Sequence, residues 1–208
     1  MEQRRLVWDL PTRCFHWLLV LNFLLAYFSA ESERWALVHI TSGFSFFALL
    51  LFRLFWGVVG SRYVRFTAFL YKPATTLHYL KNLPNRQSKP TIGHNPLGAI
   101  AILLILSVGL ICSISGWLIY ADLGGAELEE CHDVAATLMI CLVLIHIMGV
   151  LFSSYWQREN LLRAMLDGKK IIAAEYAIPK SHTLIAVLLL LTVIGFWLWS
   201  FQDQLNLN

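Results

Sequence analysis

The chain has 208 residues and a formal net charge of +3, with 58% hydrophobic residues and a mean hydropathy of +0.62. That apolar excess excludes a disordered or ordinary soluble chain and predicts an integral membrane protein. The basic stretches do not point to nucleic acid, because membrane topology accounts for them.

Five long apolar runs follow one another: Cys14 to Ala30, Trp35 to Trp56, Leu97 to Tyr120, about Val134 to Tyr155, and Thr183 to Ser200. Each is long enough to cross a bilayer as a helix. The first contains His16 and lacks a small-x-small cleavage site leading into a soluble domain, so it reads as a retained helix rather than a cleaved signal. Arg4, Arg5 and Arg13 precede or open the first run. The connection after the second holds Arg62, Arg65, Lys72, Lys81, Arg86 and Lys89 and no acid, and the one after the fourth holds Arg158, Arg163, Lys169, Lys170 and Lys180. The other two connections lean acidic, with Glu31 and Glu33 in one and Asp122, Glu127, Glu129 and Glu130 in the other. The positive-inside rule predicts a multi-pass membrane protein, N-terminus cytoplasmic and C-terminus on the opposite side, with Trp197 and Trp199 in the outer aromatic belt. Two short surface helices are expected, in "TTLHYLKNL" between Pro73 and Pro84 and in "RENLLRAMLDGKK".

Cys14, Cys112, Cys131 and Cys141 form no C-x-x-C or C-x-x-C-H, so no covalently attached haem is indicated. The histidines carry more. His78, His94 and His182 fall in cytoplasmic connections or at helix starts, where surface exposure is the ordinary account. His16, His39, His132 and His146 fall inside apolar runs or at their mouths, where ionisable groups are costly and usually functional. His132 and His146 are 14 residues apart, which returns them to one helix face about 21 Å apart. The alternating direction of the helices then puts His39 with His132 at the outer depth and His16 with His146 at the inner depth, each level drawing two imidazoles from two helices.

Two opposed imidazoles in an apolar bundle suit a six-coordinate b-type haem. Zinc asks for three or four ligands. A histidine-dependent metal or proton transporter is the alternative, and it asks for buried carboxylates beside the imidazoles; the apolar runs contain none. Arg53 follows His39 by 14 residues and so repeats the geometry at the inner depth. It either forks a haem propionate or snorkels to the headgroups. Gly43 and Gly149, near His39 and His146, leave room for a porphyrin face. Other glycines and Asn22 read as helix–helix contacts.

"VWDLPTRCFHW", "RLFWGVVGSRYVRF", "GHNPLGA", the His132–His146 pair and "RENLLRAM" together resemble the prokaryotic cytochrome b561 family, including the related cytochrome b subunits of nickel–iron hydrogenases, over residues 6 to 170. The resemblance implies an all-α fold with a four-helix di-haem transmembrane bundle in residues 1–170. The fifth, peripheral C-terminal transmembrane helix and a short outer tail, residues 171–208, depart from the minimal pattern. It assigns the axial pairs His16/His146 and His39/His132 to two haem b groups. It also implies an electron-transfer protein working between the quinone pool and a periplasmic or membrane redox partner, as the quinone-reactive subunit of an oxidoreductase complex. His94, with Asn95 and Pro96 opening the third helix, is a candidate for quinone exchange at the inner level; a capping role for "GHNPLG", or a quinone site at the outer haem, are the competing accounts. The acids Glu127, Glu129 and Glu130 beside the His132 level either steer a basic partner or simply solvate a loop.

Overall fold

The computed structural model describes residues 3–82 and 91–206; Pro84, Arg86 and Lys89 lie outside the described residues. Helices α1 (Leu10–Ser29), α2 (Ala36–Val59), α3 (Pro73–Asn82), α4 (Pro96–Tyr120), α5 (Ala126–Gln157), α6 (Leu161–Asp167) and α7 (Thr183–Asn206) account for most of it. Four stretches are long and apolar enough to span a membrane: Glu33–Val59, Pro96–Tyr120, Ala126–Gln157 and Thr183–Asp203. α1, the remaining long helix, falls short of that apolarity because Arg13, His16 and Asn22 interrupt it.

α1 pairs with α2 and α4 with α5, and α2 against α4 joins the two hairpins. Phe46 and Leu50 of α2, Leu106 and Val108 of α4, and Ala135 and Met139 of α5 form the buried seam. At Gly109 of α4 a Cβ would come within 2.9 Å of the Met139 side-chain end and 3.1 Å of that of Leu50, so the small residue lets these side chains reach in between the helices. α7 packs on α1 and α2. Trp197 donates to Asn22 Oδ1 (3.3 Å) and Thr41 shares a 2.7 Å hydroxyl contact with Ser200. Asn22 is thus an interhelical tie. Asn22 offers the half-buried Trp197 indole N–H its acceptor.

One end of the bundle carries a layer the apolar pattern did not foretell. Strand β1 (Gln3–Leu6) pairs antiparallel with β2 (Lys169–Ile172), Gln3 opposite Ile172 and Leu6 opposite Lys169. The expected domain boundary at 170/171 falls inside β2. The helix expected from "RENLLRAMLDGKK" stops at Asp167 because Gly168 turns left-handed, φ 78°. A Cβ there would collide with the Trp8 carbonyl region at 2.5 Å, and the Gly168 carbonyl accepts from the Val7 and Trp8 amides at 2.8 and 3.0 Å. The "TTLHYLKNL" helix is α3, with no buried residue.

Val7, Trp8, Trp56, Tyr63, Val64, Ala164, Ile172 and Ile178 form the core of this layer. Tyr63 donates to the Tyr176 carbonyl (2.8 Å), and Leu6 accepts from the Ile178 amide (2.9 Å). Lys170, 4% exposed, pairs with Glu159 at 2.9 Å and donates to the Thr91 and Ile92 carbonyls at 3.1 Å each. The three basic connections therefore meet on one face of the bundle.

Candidate functional site: two histidine levels in the bundle

His39 sits at the end of the first turn of α2 and His132 in the second turn of α5. Their ring centroids are 6.3 Å apart with planes at 78°. His39 Nδ1 meets the Ala26 carbonyl at 2.9 Å, and His132 Nδ1 meets the Cys112 carbonyl at 2.9 Å with Ser115 Oγ at 3.2 Å. A carbonyl can only accept, so each Nδ1 carries the proton. Each Nε2 is left with a lone pair for a ligand bond, the arrangement by which backbone carbonyls orient metal-binding imidazoles. Two imidazoles on opposite sides of one metal ion, with metal–nitrogen bonds of about 2.0 Å and ring radii of about 1.1 Å, have centroids about 6.2 Å apart. The spacing fits such a pair. Gly116 of α4 lies directly against His132: a Cβ there would be 2.9 Å from the imidazole Cε1.

His146 follows on the same unbroken α5, about three turns from its end. His16 is in the second turn of α1. It lies at the opposite end of α1 from Ala26, the residue that holds His39. His16 and His146 are near enough to act on each other electrostatically, and His16 Nδ1 is enclosed without a hydrogen-bond partner. At Gly43, half-buried one turn from His39, and at Gly149, exposed one turn from His146, a Cβ would meet nothing within 4 Å. Among the described residues no group of three or more His, Cys, Asp or Glu side chains is arranged to hold a metal ion.

Arg53 does not snorkel. It is 5% exposed, stacked over Phe66 at 5.0 Å and Phe69 at 5.6 Å. One terminal nitrogen donates to the Val64 carbonyl at 3.1 Å, and the other, NH1, is buried with no partner. A buried, half-satisfied guanidinium asks for an anion.

His94 is held between Trp8 and Phe69, with centroids 4.7 and 4.9 Å away, and its Nδ1 is enclosed and unpartnered. Its carbonyl accepts from the Tyr71 hydroxyl at 2.8 Å. The cap of α4 is Asn95, whose side chain accepts from the Gly98 amide at 2.7 Å, so capping is not the role of His94. Burial first, then the charges of Arg53, His146, Lys170 and His16, pushes the His94 imidazole down to about 3. It is neutral at pH 7.

Sequence reasoning passed over Asp9, fully buried as the N-cap of α1. It accepts from the Thr12 amide (2.9 Å), the Thr12 hydroxyl and the Trp56 indole (3.1 Å). The signal was present: an aspartate two residues before a proline at a helix start. Glu127, Glu129 and Glu130 lie in the first turns of α5 rather than in a loop, where acids complement the helix dipole.

The family model for prokaryotic cytochrome b561 matches residues 7–168. The chain belongs to the prokaryotic cytochrome b561 family. As a cytochrome b561 protein it is a multi-pass membrane b-type cytochrome of electron transfer, and the family implies haem b as its cofactor. Two curated relatives share this character at low identity. A "Probable Ni/Fe-hydrogenase B-type cytochrome subunit" of Rhizobium leguminosarum bv. viciae is 20% identical, over 79% of this chain and 88% of its own. One of the same name from Rhodobacter capsulatus is 21% identical, over 79% of this chain and 80% of its own. No solved structure matches the chain.

Proposed function

We propose that this cytochrome holds two haem b groups, one at each histidine level, and relays electrons between the quinone pool and a redox partner protein across the membrane. His39 and His132 would hold the outer group, and His16 and His146 the inner one. The opposed His39 and His132 rings, each with its Nδ1 committed to a backbone carbonyl, carry the reading. When bound, a bis-histidine haem supplies one-electron chemistry with little ligand change. The chain's own work is orientation and electrostatics. The Ala26 and Cys112 carbonyls fix the tautomer and direction of the outer ligands. Gly43 and Gly149 keep a flat space clear beside both levels. Arg53, its NH1 unpartnered, offers the inner level a cation for carboxylates.

The three basic connections share one face, which supports a cytoplasmic N-terminus and a periplasmic C-terminus. α7 has no histidine within its span and contacts α1 and α2 through Asn22 and Thr41, so it reads as a peripheral packing helix. The acidic start of α5 would face the partner, and the naming of the relatives as hydrogenase cytochrome subunits supports a dehydrogenase in that role. Quinone exchange would take place at the inner level, where the unpartnered Nδ1 of neutral His94 would hydrogen-bond a quinone or quinol oxygen. Haem content and a reduced-minus-oxidised spectrum of the purified chain test the reading: two b-type haems per chain with reduction by quinol are expected. Absence of b-type bands would end it. Normal quinol kinetics in His94→Ala with both haems present would remove His94 from the quinone site.

A further inference from the structure

On the basic face, a cavity of about 350 Å³ opens between the segment after α2 and the segment before α7. Its walls include Ser61, Arg62, Arg65, Lys180 and His182, with Ile178 on the apolar side. Two connections more than a hundred residues apart supply these cations; the Tyr63–Tyr176 hydrogen bond joins them, and the Ile178–Leu6 bond ties the second to β1. Arg62 and Arg65 are exposed, and Arg62 is braced over the Tyr63 ring at 5.5 Å. Among the described residues neither arginine nor Lys180 has an ion-pair partner. Ser61 adds a buried hydroxyl with no hydrogen-bond partner.

The depth of the cavity identifies what would fill it. The apolar spans end at Val59 and begin again at Thr183. Ser61 to Arg65 lie within six residues of the first limit, and Lys180 and His182 within three of the second. The cavity is therefore level with the lipid headgroups. Arginine forks suit phosphate oxygens, basic pockets beside transmembrane helices bind anionic headgroups, and the start of α7 adds a favourable dipole. Positive-inside bias explains cations on this face; it does not explain their convergence from two connections around one cavity.

We propose that this cavity binds the phosphate of an anionic phospholipid at the surface of the leaflet facing the basic connections. The full chain in detergent micelles would be titrated with phosphatidylglycerol and with phosphatidylcholine, and retained lipid counted by native mass spectrometry. Preferential retention of phosphatidylglycerol is expected. It should fall on the order of tenfold in Arg62→Gln/Arg65→Gln and in Lys180→Gln, and stay unchanged in Lys72→Gln/Arg158→Gln, which neutralises exposed cations outside the cavity. An unaltered far-ultraviolet spectrum and thermal midpoint certify each variant's fold. Equal retention of the two lipids, or equal loss in the control pair, overturns the proposal. Displacement of the lipid by millimolar inorganic phosphate assigns the cavity to a soluble anion and overturns the lipid source.

Discussion

His39 of α2 and His132 of α5 face each other across the bundle at 6.3 Å, while the next histidine on α5, His146, lies at the level of His16 on α1. If each level is one haem site, ligand loss must be pairwise. His16→Ala and His146→Ala should each abolish the same haem, and His39→Ala and His132→Ala the other. Redox titration of each variant, resolved by potential, decides it. Loss of the same haem from His16→Ala and His39→Ala would break the two-level arrangement.

Gly43 and Gly149 distinguish space needed by the protein from space needed by a cofactor. A Cβ at either meets nothing within 4 Å, so Gly43→Phe and Gly149→Phe should insert and fold while each lowers haem content from two per chain to one. Full haem content in both variants would show that the gaps serve no cofactor.

Lys170 is a buried cation shared by Glu159 and two carbonyls. Lys170→Met leaves those acceptors unpaired and releases the segment that carries His94. Breaking a fully buried pair costs about 3–5 kcal/mol; Glu159 keeps some solvent contact, so about 2 kcal/mol is expected here. The thermal midpoint of the haem-loaded chain reads it, and a midpoint equal to wild type would mean the clamp is incidental.

His94 gives the layer a pH dependence. Its folded imidazole sits at about 3 and an unfolded one near 6.5. Between those values the unfolded chain binds a proton the folded chain does not, so stability rises with pH. This contribution is complete above about 6.5 and is lost as pH falls toward about 3. The drop in thermal midpoint between about pH 7.5 and about pH 5 should be smaller in His94→Gln than in wild type. Equal drops would assign the acid sensitivity elsewhere.

Glu127, Glu129 and Glu130 offer a negative rim to a partner. Reversing all three to lysine should slow electron exchange with a basic partner several-fold and flatten its dependence on ionic strength. Unchanged rates at low and high salt would leave these acids as ornaments of the helix start.

The apolar runs exposed the long helices because a membrane-spanning helix must be apolar along most of its length, and the 14-residue spacings exposed the faces. α5 begins at Ala126, ahead of its apolar run, because acids in a first turn are helix-compatible and hydropathy does not register them. The β1–β2 pair was invisible: Arg4 and Ile171 pair across more than 160 residues, and neither "QRRL" nor "KKII" alternates in a way that announces a partner. Lys170 read as one more surface charge because its burial depends on Glu159 and on two carbonyls contributed by other segments. Arg53 left two accounts open in sequence; the Phe66 and Phe69 rings that bury it remove the snorkelling one.

The Gln3–Leu6 strand has a consequence in time. Its partner, Lys169–Ile172, lies at the far end of the family core. At about 5–20 residues per second of synthesis, roughly 8–30 s separate the appearance of the two strands. Throughout that interval the Val7 and Trp8 amides lack the Gly168 carbonyl that later receives them. The ribbon is thus a closing clasp: α1 to α5 can form and gather before the strand that fastens their β1 end has been made.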